Sequence, residues 1–210
     1  MAKGLTRIYN LGGSQVIGIN DIDLEVSPGD LVVLKGKSGS GKSTLLALLA
    51  GLDKPTRGKL IVAENDLQQA TPNQLTRYRR EVVGVVFQSF NLLPTLTVME
   101  NVCLPALLAG QSYSRVQNKA NELLIWLNLN SRLHHLPAQL SGGEMQRTAI
   151  ARALINDPSM ILADEPTGNL DTRNGQIVIE LLAELNRRFG RTVIIATHST
   201  LSDHYATVQL

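Results

Sequence analysis

The stretch Leu31–Gly51, LVVLKGKSGSGKSTLLALLAG, decides how the rest of the chain is read. It opens with four apolar residues, LVVL, and closes with an apolar helical segment from Lys42 to about Ala50. Between them Gly36-Lys37-Ser38-Gly39-Ser40-Gly41-Lys42-Ser43 fits G-x-x-x-x-G-K-[ST]. Glycines let the backbone curl so that its N–H groups converge on phosphate oxygens. A helix starting at Lys42 adds the positive end of its dipole. Lys42 is then expected to reach the β- and γ-phosphates of a nucleotide, and Ser43 to offer a hydroxyl to Mg²⁺.

Three further runs resemble LVVL in being apolar on both faces: VGVVF (83–87), MILA (160–163) and VIIA (193–196). Such runs mark strands covered on both sides, as in a parallel sheet flanked by helices. Each is followed by polar chemistry: Gln88 after the first, Asp164-Glu165 after the second, Thr197-His198 after the third. Ligands of open α/β sheets bind beyond the carboxyl ends of the strands. The four strand ends therefore predict one site. Asp164 suits a hard cation. Glu165 is placed to orient and deprotonate a water. Gln88 is read as a sensor of metal and water, and His198 as a γ-phosphate contact. The implied chemistry is hydrolysis of a terminal phosphoanhydride. Tyr9 is a candidate for stacking on the base.

Before the first apolar run, Ile22–Val26 alternates apolar and charged residues like a half-buried strand. Ser27-Pro28-Gly29-Asp30 then reads as a turn. Later, Ser114 to about Leu129 has helical apolar spacing, and Ser141-x-x-Glu144 has the spacing of a capping box that starts a helix from Gly142 to about Ile155.

The bulk numbers fit one sizeable domain or a domain with a subdomain. The chain has 210 residues, 43% of them hydrophobic, and a net charge of +2, which gives no basis for a nucleic-acid surface. Cys103 is the single cysteine, so no intrachain disulfide forms, and it is expected to be buried. MAKGLTRIYN has no signal-peptide architecture, and no apolar run approaches the ~20 residues of a bilayer span. The protein is expected to be soluble and to act at a membrane only by docking. His134-His135 and Trp126 are read as loop and core residues, not as ligand contacts.

Taken together, the motifs resemble the nucleotide-binding domain of ATP-binding cassette (ABC) transporters. GKSGSGKST (36–44) corresponds to the Walker A motif, FQ (87–88) to the Q-loop and LSGGE (140–144) to the signature. MILADE (160–165) corresponds to Walker B, GNLD (168–171) to the D-loop and His198 to the switch histidine. MQR follows the signature where QQR is common. The resemblance implies an α/β fold: a P-loop NTPase core with a mainly parallel sheet, an antiparallel β layer and a helical subdomain. Residues 1–88 and 158–210 would form the core and β layer, and 89–157 the helical subdomain. It implies ATP and Mg²⁺ as cofactors. Tyr9, Gly36, Ser38, Gly39, Ser40, Gly41, Lys42, Ser43 and Thr44 would hold the nucleotide, and Ser43, Gln88 and Asp164 the metal. Glu165, His198 and Gln88 would serve catalysis. Ser141, Gly142 and Gly143 would contact the nucleotide of a second subunit, because members pair head to tail as homodimers or with a related ATPase subunit. A Gly-Gly surface would let that nucleotide approach the backbone, and Asp171 would lie at the seam.

GLDKPTRGKL (51–60) and FQSFNLLPTLTVMENVCLP (87–105) are similar to the lipoprotein-releasing and macrolide-exporting branch. This implies a cytoplasmic ATPase, peripheral on the inner face of the cell membrane through a permease, with Phe90–Leu104 as the permease contact. A regulatory ATPase of the cell-division type is the alternative. Members acting on chromosomes insert long coiled coils between Walker A and Walker B, and ribosomal ones carry two cassettes. P-loop kinases lack the signature. None of these patterns is present. After His198 comes STLSDHYATVQL, where the family usually has HD-x-x-L-A-x-x-A-D-R, and the sequence stops at Leu210 before the closing D-G and last short strand or helix. C-terminal packing is expected to depart from the family.

Overall fold

The computed structural model describes residues 1–209. The chain begins with two antiparallel strands, β1 (Ala2–Leu11) and β2 (Ser14–Leu24). Leu24 is buried between exposed Asp23 and Glu25, as the alternation requires, but the strand ends before Val26. The turn that follows has Gly29 at φ +85°, with the Asp30 amide donating to the Ser27 carbonyl at 3.1 Å. β3 (Leu31–Lys35) leads into α1 (Lys42–Leu49), and β4 (Arg57–Val62) and β5 (Asn65–Asp66) follow. These last two complete a four-stranded antiparallel sheet in the order β2-β1-β4-β5.

α2 (Pro72–Glu81) carries a Thr71/Gln74 capping box and precedes β6 (Val83–Val86). Three helices come next: α3 (Val98–Leu108), α4 (Tyr113–Trp126) and α5 (Gly142–Leu154). α4 stops short of the expected Leu129 because Asn128 turns left-handed at φ +55°, the usual helix-ending conformation. The chain returns through β7 (Met160–Asp164), α6 (Thr172–Phe189) and β8 (Thr192–Thr197).

The second sheet is parallel, in the order β6-β7-β8-β3-β9. Its edge strand β9 (Val208–Gln209) corrects the expectation that the sequence stops before a last strand. Val208 pairs with Val32, and the Thr207 amide donates to the Leu31 carbonyl at 2.8 Å. A salt bridge from Lys35 to Asp203 at 2.7 Å ties the preceding segment to the sheet.

The apolar runs are continuous because both faces of this sheet are covered. Leu31, Val33, Ile161, Ala163, Val193 and Ile195 point into one core with α3–α6. Val32, Leu34, Leu162, Ile194 and Ala196 point into another with α1, α2 and the antiparallel sheet. Each fully buried Leu, Ile or Val contributes roughly 1.5–3 kcal/mol. Cys103 is buried in the first core, and Trp126 packs on it, edge-on to Phe189 at 5.9 Å. Register then sets the site. Lys35 lies opposite Thr197, Asp164 opposite Ala196 and Val86 opposite Ala163, so four strands end at one edge.

Candidate active site

At that edge lies a cavity of about 780 Å³. Tyr9, Ser38, Gly39, Ser40, Gly41, Lys42, Ser43, Thr44, Gln88, Glu165 and His198 line it, together with Val16 and Ile17 of β2. Gly36 sits behind the loop, where a Cβ would come within 2.5 Å of the Ser40 hydroxyl. Gly41 has φ +90° and the Gly18 carbonyl only 2.4 Å from where a Cβ would stand, so only glycine fits. It is also the N-cap of α1 and offers no side-chain cap, which leaves the first amides of the helix facing the cavity. Lys42 Nζ spans the loop, donating to the carbonyls of Gly36 at 2.7 Å and Lys37 at 3.2 Å.

Ser43 Oγ donates to Asp164 Oδ1 at 3.0 Å, bringing two hard oxygen donors together from different elements. Burial pushes the Asp164 carboxyl above its ordinary range; Glu165 adds to this, while the Ser43 hydrogen bond and Lys42 oppose it. Among the described residues no cluster of three or more His, Cys, Asp or Glu side chains forms a metal cage. A Ser–Asp pair beside a phosphate loop fits Mg²⁺, which keeps waters and takes phosphate oxygens as its other ligands.

Glu165 stands at φ +44°, a costly backbone conformation for a residue with a side chain. Its Oε2 accepts from Thr197 Oγ1 at 3.1 Å and from the His198 amide at 3.3 Å, and lies 3.0 Å from His198 Nδ1. Oε1 has no hydrogen bond among the described residues, so one oxygen is anchored and the other is available.

Gln88 reaches the cavity, but its amide is turned onto the D-loop. Nε2 lies 3.5 Å from Asn169 Oδ1, and Asn169 Nδ2 donates to the Gln88 carbonyl at 3.0 Å. Tyr9 is held by groups that the sequence reading missed. Its hydroxyl donates to Asp53 Oδ2 at 2.9 Å, and the Arg7 guanidinium, paired with the same Asp53 oxygen at 2.8 Å, lies 4.5 Å from the ring centroid.

Ser141, Gly142 and Gly143 do not line this cavity. Ser141 caps α5: its Oγ accepts from the Glu144 amide at 3.3 Å, while Glu144 Oε2 accepts from the Ser141 amide at 2.8 Å. Arg132 pairs with Glu144 at 2.8 Å, a partner that no local spacing signalled. Gly142 is half-buried. Gly143 is buried, and the expected open Gly-Gly surface is corrected to Ser141 and Gly142. A Cβ at Gly143 would fall 2.3 Å from Asn174 Oδ1, so this glycine serves packing of α5 on α6. Asp171 caps α6, accepting from the Asn174 amide at 2.9 Å.

Residues 19–168 match the model of the ABC transporter family. This chain belongs to that family. It is 48% identical to an ABC transporter ATP-binding protein of Thermotoga maritima, over 92% of this chain and 82% of that protein. It is 45% identical to the lipoprotein-releasing system ATP-binding protein LolD of Idiomarina loihiensis, over 93% of this chain and 86% of that one. It also matches the macrolide export ATP-binding/permease protein MacB of Wolinella succinogenes at 46% identity, over 94% of this chain but 31% of that longer protein. A dimeric ATP-binding cassette solved in a post-hydrolysis state with ADP and phosphate superimposes with a TM-score of 0.90 at 39% identity, covering 98% of this chain and 90% of that one. The family and fold make this chain an ATPase cassette, in the branch of the lipoprotein-releasing and macrolide-export proteins. The regulatory cell-division alternative gains no support from these relatives. Among the described residues, no helix is long and apolar enough to cross a membrane.

Proposed function

We propose that this chain binds ATP in the cavity at the sheet edge and hydrolyses it to drive export or extraction through a membrane permease. The observation that carries the reading is the convergence of four strand ends on one cavity, with Ser43 and Asp164 in contact and Glu165 anchored through a single oxygen. Walker A amides and Lys42 hold the phosphates, and Tyr9, braced by Arg7 and Asp53, takes the base. Ser43 and Asp164, with Gln88 as a further oxygen donor, would hold Mg²⁺, which would supply charge neutralisation for the phosphates. Glu165 uses its free Oε1 to orient and deprotonate the attacking water. His198 contacts the γ-phosphate and keeps Glu165 in place.

Ser141, Gly142 and the start of α5 serve the nucleotide of a second copy or a related subunit, with the Gly143 amide behind them. This accords with their position away from the chain's own cavity. Residues 1–88 and 158–210 act as the nucleotide-binding core, and 89–157 as the helical subdomain that engages the permease through Phe90–Leu104. Arg152 supports that contact by donating to the carbonyls of Phe90 at 2.7 Å and Asn91 at 2.5 Å. The chain would then sit on the inner face of the cell membrane. The names of its relatives point to lipoproteins or macrolide-like amphiphiles as cargo.

Glu165→Gln tests the reading. Phosphate release is expected to fall by about 10²–10⁴-fold, while ATP still binds and traps a dimer seen by size-exclusion chromatography. Near-normal turnover by this variant would remove the general-base assignment.

A further inference from the structure

Gln146 lies in the first turns of α5, one residue beyond the methionine that breaks the common form of the signature, and it is 0% exposed. Its Nε2 donates to the Pro166 carbonyl at 2.8 Å. Its Oε1 is buried and has no partner among the described residues. Leaving an acceptor unsatisfied in the core is costly, and an apolar side chain of the same length would avoid that cost. The glutamine is therefore explained by its donor and by the carbonyl it holds.

That carbonyl belongs to the residue after Glu165. A left-handed residue with a side chain persists only where its surroundings over-determine it. Here the Glu165 amide donates to Ala196 at 2.8 Å and the Gly168 amide donates back to Glu165 at 3.0 Å. Gln146 supplies a third tie to the backbone of the turn, and it comes from the signature helix. The helix is also seated by Gly143 under Asn174 of α6, the residue bonded to Asp171. α5 thus presents Ser141 outward and grips the turn of Glu165 inward.

We infer that Gln146 is a positioning residue: it fixes the Glu165 turn through the Pro166 carbonyl, and so joins the helix that meets a partner's nucleotide to this subunit's own general base. The inference rests on the role proposed for Glu165. Within one subunit, displacement of α5 is transmitted to Glu165 through one buried amide.

The test is ATP turnover by the purified chain carrying Gln146→Met, which keeps length and removes the donor. Mispositioned catalytic groups typically cost about 10–100-fold. A kcat loss of that size is expected, with KM for ATP, nucleotide-driven dimerisation and the thermal midpoint held close to the parent's. Gln146→His, which restores an N–H donor, is expected to recover most of the loss. The inference is overturned if Gln146→Met turns over like the parent, if its loss comes with weakened ATP binding or stability, or if Gln146→His is no better. The outcome separates from the underlying reading: an active Glu165→Gln breaks the general base itself, whereas an inactive Glu165→Gln beside a normal Gln146→Met breaks only the link.

Discussion

Two helices of this chain have a glycine at their first turn, and they begin differently. α1 starts from Gly41, which is left-handed and offers no side-chain cap, so its first amides are turned toward the cavity. α5 starts from Ser141 in a complete capping box, so the Ser141 and Glu144 amides are already satisfied by its own Ser and Glu. The first is the loop proposed to cradle phosphate, where Gly36 is fixed by the Ser40 hydroxyl and Gly41 by the Gly18 carbonyl. The second is a capped end that shows a hydroxyl and a half-buried glycine to the outside. A free helix terminus and a capped one are two solutions to the same deficit of backbone partners, and only the free one forms a site alone. The capped one also brings a carboxylate, Glu144, to a helix end proposed to meet phosphate, and the pairing with Arg132 offsets that charge.

The contrast breaks most sharply at Lys42 and Ser141. Lys42→Ala removes charge-assisted contacts worth roughly 1.5–3 kcal/mol each, so ATP affinity of the single chain is expected to fall by about a hundredfold or more, read by fluorescent-nucleotide titration. Ser141→Arg is expected to leave that titration unchanged and to stop hydrolysis, because its site belongs to the pair. Weakened ATP binding to the monomer by Ser141→Arg would erase the distinction between the two helices.

A smaller effect separates packing from ligand binding at the second glycine of the signature. Gly143→Ala forces a Cβ against Asn174, and overpacking of this kind costs about 1–3 kcal/mol. Chemical denaturation is expected to show that loss, and adding Asn174→Ala to relieve most of it. Additive losses in the double variant would return Gly143 to a purely functional explanation.

The smallest effect concerns pH. Arg132, and then the Ser141 amide, hold the Glu144 carboxyl down at about 2, below its ordinary 4.5. A depressed folded pKa stabilises above the unfolded value and is lost as the pH falls through the folded one. The gap in thermal midpoint between the parent and Arg132→Met is therefore expected to be widest above 4.5 and to narrow toward 2. A gap that grows on acidification would contradict the pairing.

The parallel sheet was legible because burial on both faces forces unbroken apolar runs, and the cavity was legible because polar residues follow each of them. The phosphate loop and the α5 cap are written in local spacing, and local spacing survives without coordinates. α2 and α3 were equally legible through their Thr71/Gln74 and Thr97/Glu100 boxes, a signal left unused. What stayed hidden depends on distant partners. Asp53 reaches Tyr9 from the loop between α1 and β4, Asn174 covers Gly143, and Arg132 finds Glu144, none of them through a repeat. β9 was hidden because two residues carry no periodicity. Gln146 was visible as a letter just after the signature, but its burial and the carbonyl it faces emerge only from packing.

Glu165 carries one more consequence. Its left-handed backbone costs about 1–3 kcal/mol that a glycine would not incur. Where relief of that strain outweighs the lost Thr197 and His198 contacts, selection for thermal resistance alone, in a library or in a lineage released from its transport duty, would favour glycine at 165 and, on the role proposed for Glu165, yield a hardier protein with no turnover. Stability gain at this position is thus a marker of lost work, and a sequence of this type with glycine there would be expected to bind nucleotide without spending it.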